Sequence, residues 1–143
     1  MARGVHLTRV VRAPRAAVFG ACTTPDEVAR WWGPRGFTVP SVDLDPRPGG
    51  RYRIAMRPPE GAVFHVSGEF REVTPPSRLA YTFRYEEPDP DDQENLVAVS
   101  LLEWEGATRI ELTHGPFATE ERRALHEAGW TDTLDRLEEL LSS

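Results

Sequence analysis

Six consecutive segments with a two-residue repeat, followed by one long helical segment, leave this chain few ways to fold. Residues 37–44 form the first of them, and Arg47-Pro48-Gly49-Gly50 turns the chain. Residues 51–57 alternate cleanly, with Tyr52, Ile54 and Met56 on one face and Arg51, Arg53 and Arg57 on the other. Residues 63–73 repeat the pattern with Phe64, Val66, Gly68 and Phe70 inward. After Pro75-Pro76 the inner set is Leu79, Tyr81, Phe83 and Tyr85. Segments 96–105 and 108–114 follow, joined at Gly106. Links this short pair strands antiparallel. Such a sheet has one apolar face that must be covered. The one element long enough to cover it is 119–141, which spans about 33 Å as a helix. Its apolar positions Leu134, Leu137 and Leu141 recur at helical spacing, with Trp130 one turn earlier. Thr119 is placed to cap it.

Ahead of the sheet, residues 5–12 read as a strand and Ala13-Pro14 breaks it. A helix over 15–22 then carries Val18, Phe19 and Cys22 on one side. Thr24-Pro25-Asp26-Glu27 is a second start signal, with Thr24 as cap and Pro25 at the first helical position. Trp31-Trp32-Gly33-Pro34 ends that short helix. Neighbouring helical residues point about 100° apart, so one ring of Trp31-Trp32 should enter the core and the other lie nearer an opening. The expected fold class is α+β: about seven antiparallel strands, two short helices after the first, and a long C-terminal helix. All of it fits one domain over 1–143.

Composition removes whole classes of function. All 17 basic residues are Arg and there is no Lys. Schiff-base chemistry, a pyridoxal phosphate linkage and a phosphate-loop Lys are therefore excluded. A net charge of −6 argues against nucleic acid or an anionic membrane as partner. One Cys allows no internal disulfide and no Cys-based zinc site. His126-Glu127 has no second His one turn on, so neither a metal nor a cofactor is expected. No apolar run reaches 18 residues, and the first 12 lack a secretory apolar stretch. The expected location is the cytoplasm. Residues 86–95 hold six acids and two prolines and read as a solvated loop.

A family resemblance rests on many short runs in order. They are Pro14-Arg15-Ala16-Ala17-Val18-Phe19, Thr24-Pro25, Trp31-Trp32-Gly33-Pro34, Gly36-Phe37-Thr38 and Pro48-Gly49-Gly50-Arg51-Tyr52. The series continues with Gly68-Glu69-Phe70-Arg71-Glu72-Val73, Pro75-Pro76 and Arg78-Leu79-Ala80-Tyr81-Thr82. It closes with 106–114 and Gly129-Trp130. Together they resemble the START-like, helix-grip superfamily, also called SRPBCC. The branch is the one named after the C-terminal domain of the activator of heat shock protein 90 ATPase. The resemblance implies a curved sheet gripping the last helix with a cavity between them. Many relatives bind apolar small molecules there, and some are polyketide cyclases or aromatases.

The candidate ligand pocket comprises Trp32, Phe37, Tyr52, Ile54, Met56, Phe64, Val66, Tyr81, Phe83, His114 and Trp130. Aromatic rings and Met around a concave space are typical of small-molecule sites. Packing against the last helix as a closed core is the alternative. His114 follows the inward Thr108, Ile110 and Leu112, so its ring should point inside. His65 follows the inward Phe64 and should face water. His126 precedes Gly129-Trp130 by three residues, as in the family. No convergent set of acid, base and orienting group is visible, so no catalytic residue is assigned. The first reading is a soluble module, monomer or homodimer, binding a small apolar or aromatic molecule. A cyclase-like enzyme using His114 and nearby Tyr groups is the second, and a chaperone-stimulating interaction domain the third.

Overall fold

In a computed structural model that describes residues 3–142, the period-two segments form one seven-stranded antiparallel sheet. Residues 1, 2 and 143, the ends of the domain expected over 1–143, lie outside the described residues. In chain order the elements are β1 (Val5–Val11), α1 (Arg15–Thr23), α2 (Pro25–Trp31), β2 (Thr38–Leu44), β3 (Arg51–Arg57), β4 (Phe64–Thr74), β5 (Arg78–Tyr85), β6 (Asn95–Trp104), β7 (Ala107–Gly115) and α3 (Glu120–Ser142). The strand order is β1-β7-β6-β5-β4-β3-β2, so each of β2 to β7 lies beside its neighbour in sequence. Only β1 is placed by a long-range pairing, Val5 to His114 through Val11 to Thr108.

Local chemistry explains the joints. Glu105 and Gly106 both take positive φ, which lets a two-residue turn match the twist of β6 and β7. Pro40 lies where the β2–β3 register shifts, on an edge strand that can spare a donor. A side chain at Gly68 would bring a Cβ within 2.0 Å of the Thr82 carbonyl oxygen, so β4 and β5 meet there only because residue 68 is Gly.

The apolar face of the sheet packs on α3 through Trp130, Leu134 and Leu137, all buried, while Leu141 is half-buried. Two clasps fix that helix. Arg9 on β1 reaches Asp135 and Glu138 at 2.7 and 3.1 Å. Arg136 donates to the backbone carbonyls of Trp32, Gly33, Pro34 and Arg30. Thr119 caps α3 as expected, its Oγ1 accepting from the Arg122 amide at 3.1 Å. Thr24 precedes α2 but its side chain makes no capping bond, which corrects the expectation there. Trp31 and Trp32 are both buried. The chain leaves the helix at Trp32 in an extended conformation, so the two side chains are not bound to helical geometry. Among the described residues, no helix is long and apolar enough to cross a membrane.

Candidate functional site

Among the described residues, two apolar spaces lie between the sheet and α3. The inner one is about 30 Å³ and is ringed by Tyr52, Ile54, Phe70, Tyr81, Leu134 and Leu137 among others. Its walls are almost wholly apolar, and its volume is that of a water molecule or so. The larger is about 180 Å³ and opens beside the half-exposed Leu125. A cavity of about 150 Å³ suffices for benzene, so this one has room for a small organic molecule. Trp32 and Trp130 line both spaces and meet edge to face, 5.6 Å between ring centroids.

Seven of the eleven candidate residues line the larger cavity: Trp32, Phe37, Met56, Phe64, Phe83, His114 and Trp130. Tyr52, Ile54 and Tyr81 surround the small inner space instead. Val66 lines neither and is fully buried in the core. Alternation puts all four on the correct side of the sheet but cannot say where along a strand the packing closes. Gly33, Pro34, Tyr85, Leu125, His126, Gly129 and Thr133 complete the wall. Of these, Tyr85 was legible as an inward position, and His126 through the family spacing. Gly33, Pro34 and Gly129 stand within the family runs without a pocket role, and Leu125 and Thr133 carry no signal in a single sequence.

His114 points inward as alternation requires, and its exposure is 1%. Both ring nitrogens are occupied. Nδ1 accepts from the Trp130 indole N–H at 2.9 Å, so Nε2 carries the proton and donates to Asn95 Oδ1 at 2.7 Å. Asn95 in turn donates to the Pro116 carbonyl at 3.1 Å. Asn95 belongs to a stretch that reads as solvated loop, yet it opens β6 and is buried. Burial, and second the neighbouring His126, push the His114 pKa down to about 3. Its ring is neutral across the physiological range, so it is a fixed strut rather than a proton carrier.

A second pair stands on the same wall. His126 donates through Nδ1 to the Arg122 carbonyl at 2.9 Å, which leaves Nε2 as an acceptor. The Tyr85 hydroxyl donates to that nitrogen at 2.8 Å. Burial, with the acids Asp92 and Asp89 close by, pushes the Tyr85 hydroxyl up to about 12. Burial lowers the His126 pKa. Tyr52, beside the inner space, donates its hydroxyl to the Thr82 carbonyl at 2.6 Å, and burial raises its pKa as well. Cys22, beside the inner space, is pushed up to about 12 by burial and is no nucleophile. Among the described residues, no cluster of three or more His, Cys, Asp or Glu could hold a metal ion.

The buried His pair sets an acid limit on stability. An unfolded His takes up a proton below its ordinary pKa of 6.5, whereas folded His114 does so only near pH 3. The stabilisation is therefore complete above pH 6.5 and is lost as pH falls. The expected loss approaches about 1.4 kcal/mol per pH unit. His126 adds to it with the same sign. Glu86, held to about 2 by Arg53, contributes mainly below its ordinary 4.5, so measurements at pH 5.0 and above read chiefly the His residues. Urea midpoints at pH 7.5, 6.0 and 5.0 should fall steadily for the natural chain and less for His114→Gln. Equal slopes in the two would exclude His114 as their source.

A seven-stranded antiparallel sheet closed on a long C-terminal helix, with two short helices after its first strand, is the helix-grip architecture of START-like (SRPBCC) domains. Within that class the chain belongs to the family described as Activator of Hsp90 ATPase homolog 1-like protein, whose sequence profile matches residues 12–142. The AHSA1 protein of Silicibacter pomeroyi is 32% identical, with 97% of each chain covered and a TM-score of 0.84. A protein of Nitrosomonas europaea is 30% identical over 97% of this chain and 94% of its own, with a TM-score of 0.82. A protein of Chromobacterium violaceum, 23% identical over 99% and 98%, has a TM-score of 0.90 and is similar in fold alone. No curated protein matches the sequence significantly.

Proposed function

We propose that this chain is a binding protein for a small apolar or aromatic molecule, held in the 180 Å³ cavity. The observation that carries this reading is a space of ligand size left open in an otherwise packed core and walled by aromatic rings. Hydrophobic ligands are commonly bound in this fold, which supports the same reading. Catalysis is less well supported. The inward His is neutral and has both nitrogens bonded, and the Tyr hydroxyls have pKa values far from neutral.

Gly129 offers a direct test. It sits inside α3 on the cavity wall, and a Cβ there would meet only Pro34, at 3.6 Å. Gly in a helix interior costs roughly 0.5–1 kcal/mol relative to Ala, so Gly129→Ala should stabilise the fold by about that much. A longer side chain at this position would occupy the cavity. Fluorobenzene, followed by fluorine NMR, should bind the natural protein in saturable fashion. Gly129→Leu should abolish that binding while retaining a native urea melt. Undiminished binding to Gly129→Leu would place the ligand elsewhere, and no binding to the natural protein would end the reading.

A further inference from the structure

We infer that the cavity selects a neutral single-ring aromatic bearing a hydroxyl group, with the Tyr85 oxygen accepting the hydroxyl proton. The inference rests on the binding reading above and adds the ligand's polarity. A volume of about 180 Å³ admits one ring with small substituents. The polar groups on the wall then decide what that ring can carry.

His114 offers nothing, because Trp130 and Asn95 take both its nitrogens. The Tyr85 hydroxyl commits its donor to His126, and His126 commits its own to the Arg122 carbonyl. What remains at Tyr85 is an oxygen lone pair. Thr133 is alike, since its hydroxyl donates to the Gly129 carbonyl at 2.7 Å. These oxygens accept only, so a polar ligand must bring the donor. Its own oxygen can then accept in turn, and Trp32, whose indole carries an N–H donor, is among the lining residues. A hydroxyl both gives and accepts.

Charged ligands fit badly. An anion would lack a free cation: both wall His residues are neutral, Arg136 is committed to four backbone carbonyls, and Arg122, in the adjoining depression, is held by Asp89 and Asp92. A cation would lack a free carboxylate: Asp89 and Asp92 line an adjoining depression that shares Phe64 and Tyr85 with the cavity, and both pair with Arg122. An uncompensated buried charge is far more costly than a buried hydroxyl with a partner.

The test uses two isosteres, p-cresol and p-xylene, titrated against the whole chain by NMR. Changing Tyr85 to Phe keeps the ring and removes the hydroxyl, both as the ligand's acceptor and as the donor to His126. Tyr85→Phe should weaken p-cresol about tenfold and change p-xylene less than twofold. 4-Methylbenzoate and benzyltrimethylammonium should not bind. If p-xylene binds but p-cresol ignores the substitution, the inference falls and the binding reading stands. If neither molecule binds the natural protein, both fall. Tighter binding of either charged molecule also overturns the inference. Should Tyr85→Phe not fold, the natural protein still decides. Bound p-cresol should show Overhauser contacts from its ortho ring protons, beside the hydroxyl, to Tyr85, and a bound ring with its methyl group there refutes the assignment.

Discussion

Trp130→Ala should destabilise the protein by about 3–5 kcal/mol, the range for emptying a buried aromatic site. Trp130 is 7% exposed and reaches from α3 to the sheet through its bond to His114. It is also half of the partition between the two spaces, with Trp32 as the other half. Truncation joins those spaces into one void that the surrounding rings cannot collapse into. It also leaves His114 Nδ1 without a donor, a further penalty of about 1–3 kcal/mol where no water can enter. Trp130→Phe separates the two effects, because it keeps a ring and removes the N–H. It should lose about 1–3 kcal/mol. Urea melts of both variants read the difference. A loss below about 1 kcal/mol for Trp130→Ala would mean that the helix does not depend on this contact. A void enlarged in this way should also admit ligands longer than a single ring.

The strands were legible because alternation encodes which side of a sheet a residue faces. Arg51–Arg57 has the bounds its pattern predicts, and His114 turns inward three alternate positions after Thr108. The same rule could not find the cavity. Val66 and Met56 share a face, yet Val66 is sealed in the core while Met56 lines the open space. Where the packing stops depends on how the segment after α2 and the first turns of α3 lie over the sheet, which a period cannot show. Asn95 was hidden by its acidic neighbours, since the contact that buries it comes from a strand 19 residues away. Tyr85 and His126 were each visible, but the bond between them spans 41 residues. The polarity of the site therefore emerges only when β5 and α3 are brought together.

Arg136→Met should cost about 2–3 kcal/mol and loosen one wall of the cavity. From sequence this Arg is one more charge on a helix. In the fold its guanidinium gathers four carbonyls at the end of α2: Trp32, Gly33 and Pro34 at 3.0, 2.9 and 3.3 Å, and Arg30 at 3.2 Å. A helix end leaves its last carbonyls without partners, and a planar cation with several donors can satisfy many of them at once. Partial burial lowers the pKa of Arg136 but leaves it charged near neutral pH. Met keeps the apolar stem and removes the donors, so the change reads the hydrogen bonds rather than the packing. Bonds to a charged donor contribute roughly 1.5–3 kcal/mol apiece. Water reaches part of this site, which keeps the expected total near the value for one of them. The segment it holds carries Trp32, Gly33, Pro34 and Phe37, all on the cavity wall. The Phe37 amide, which donates to the Pro34 carbonyl at 3.1 Å, should exchange faster with solvent in Arg136→Met. The p-xylene affinity should fall with it, because a mobile wall must be ordered again on binding. Unchanged exchange at Phe37 together with a loss below about 0.5 kcal/mol would show that apolar packing alone holds this wall.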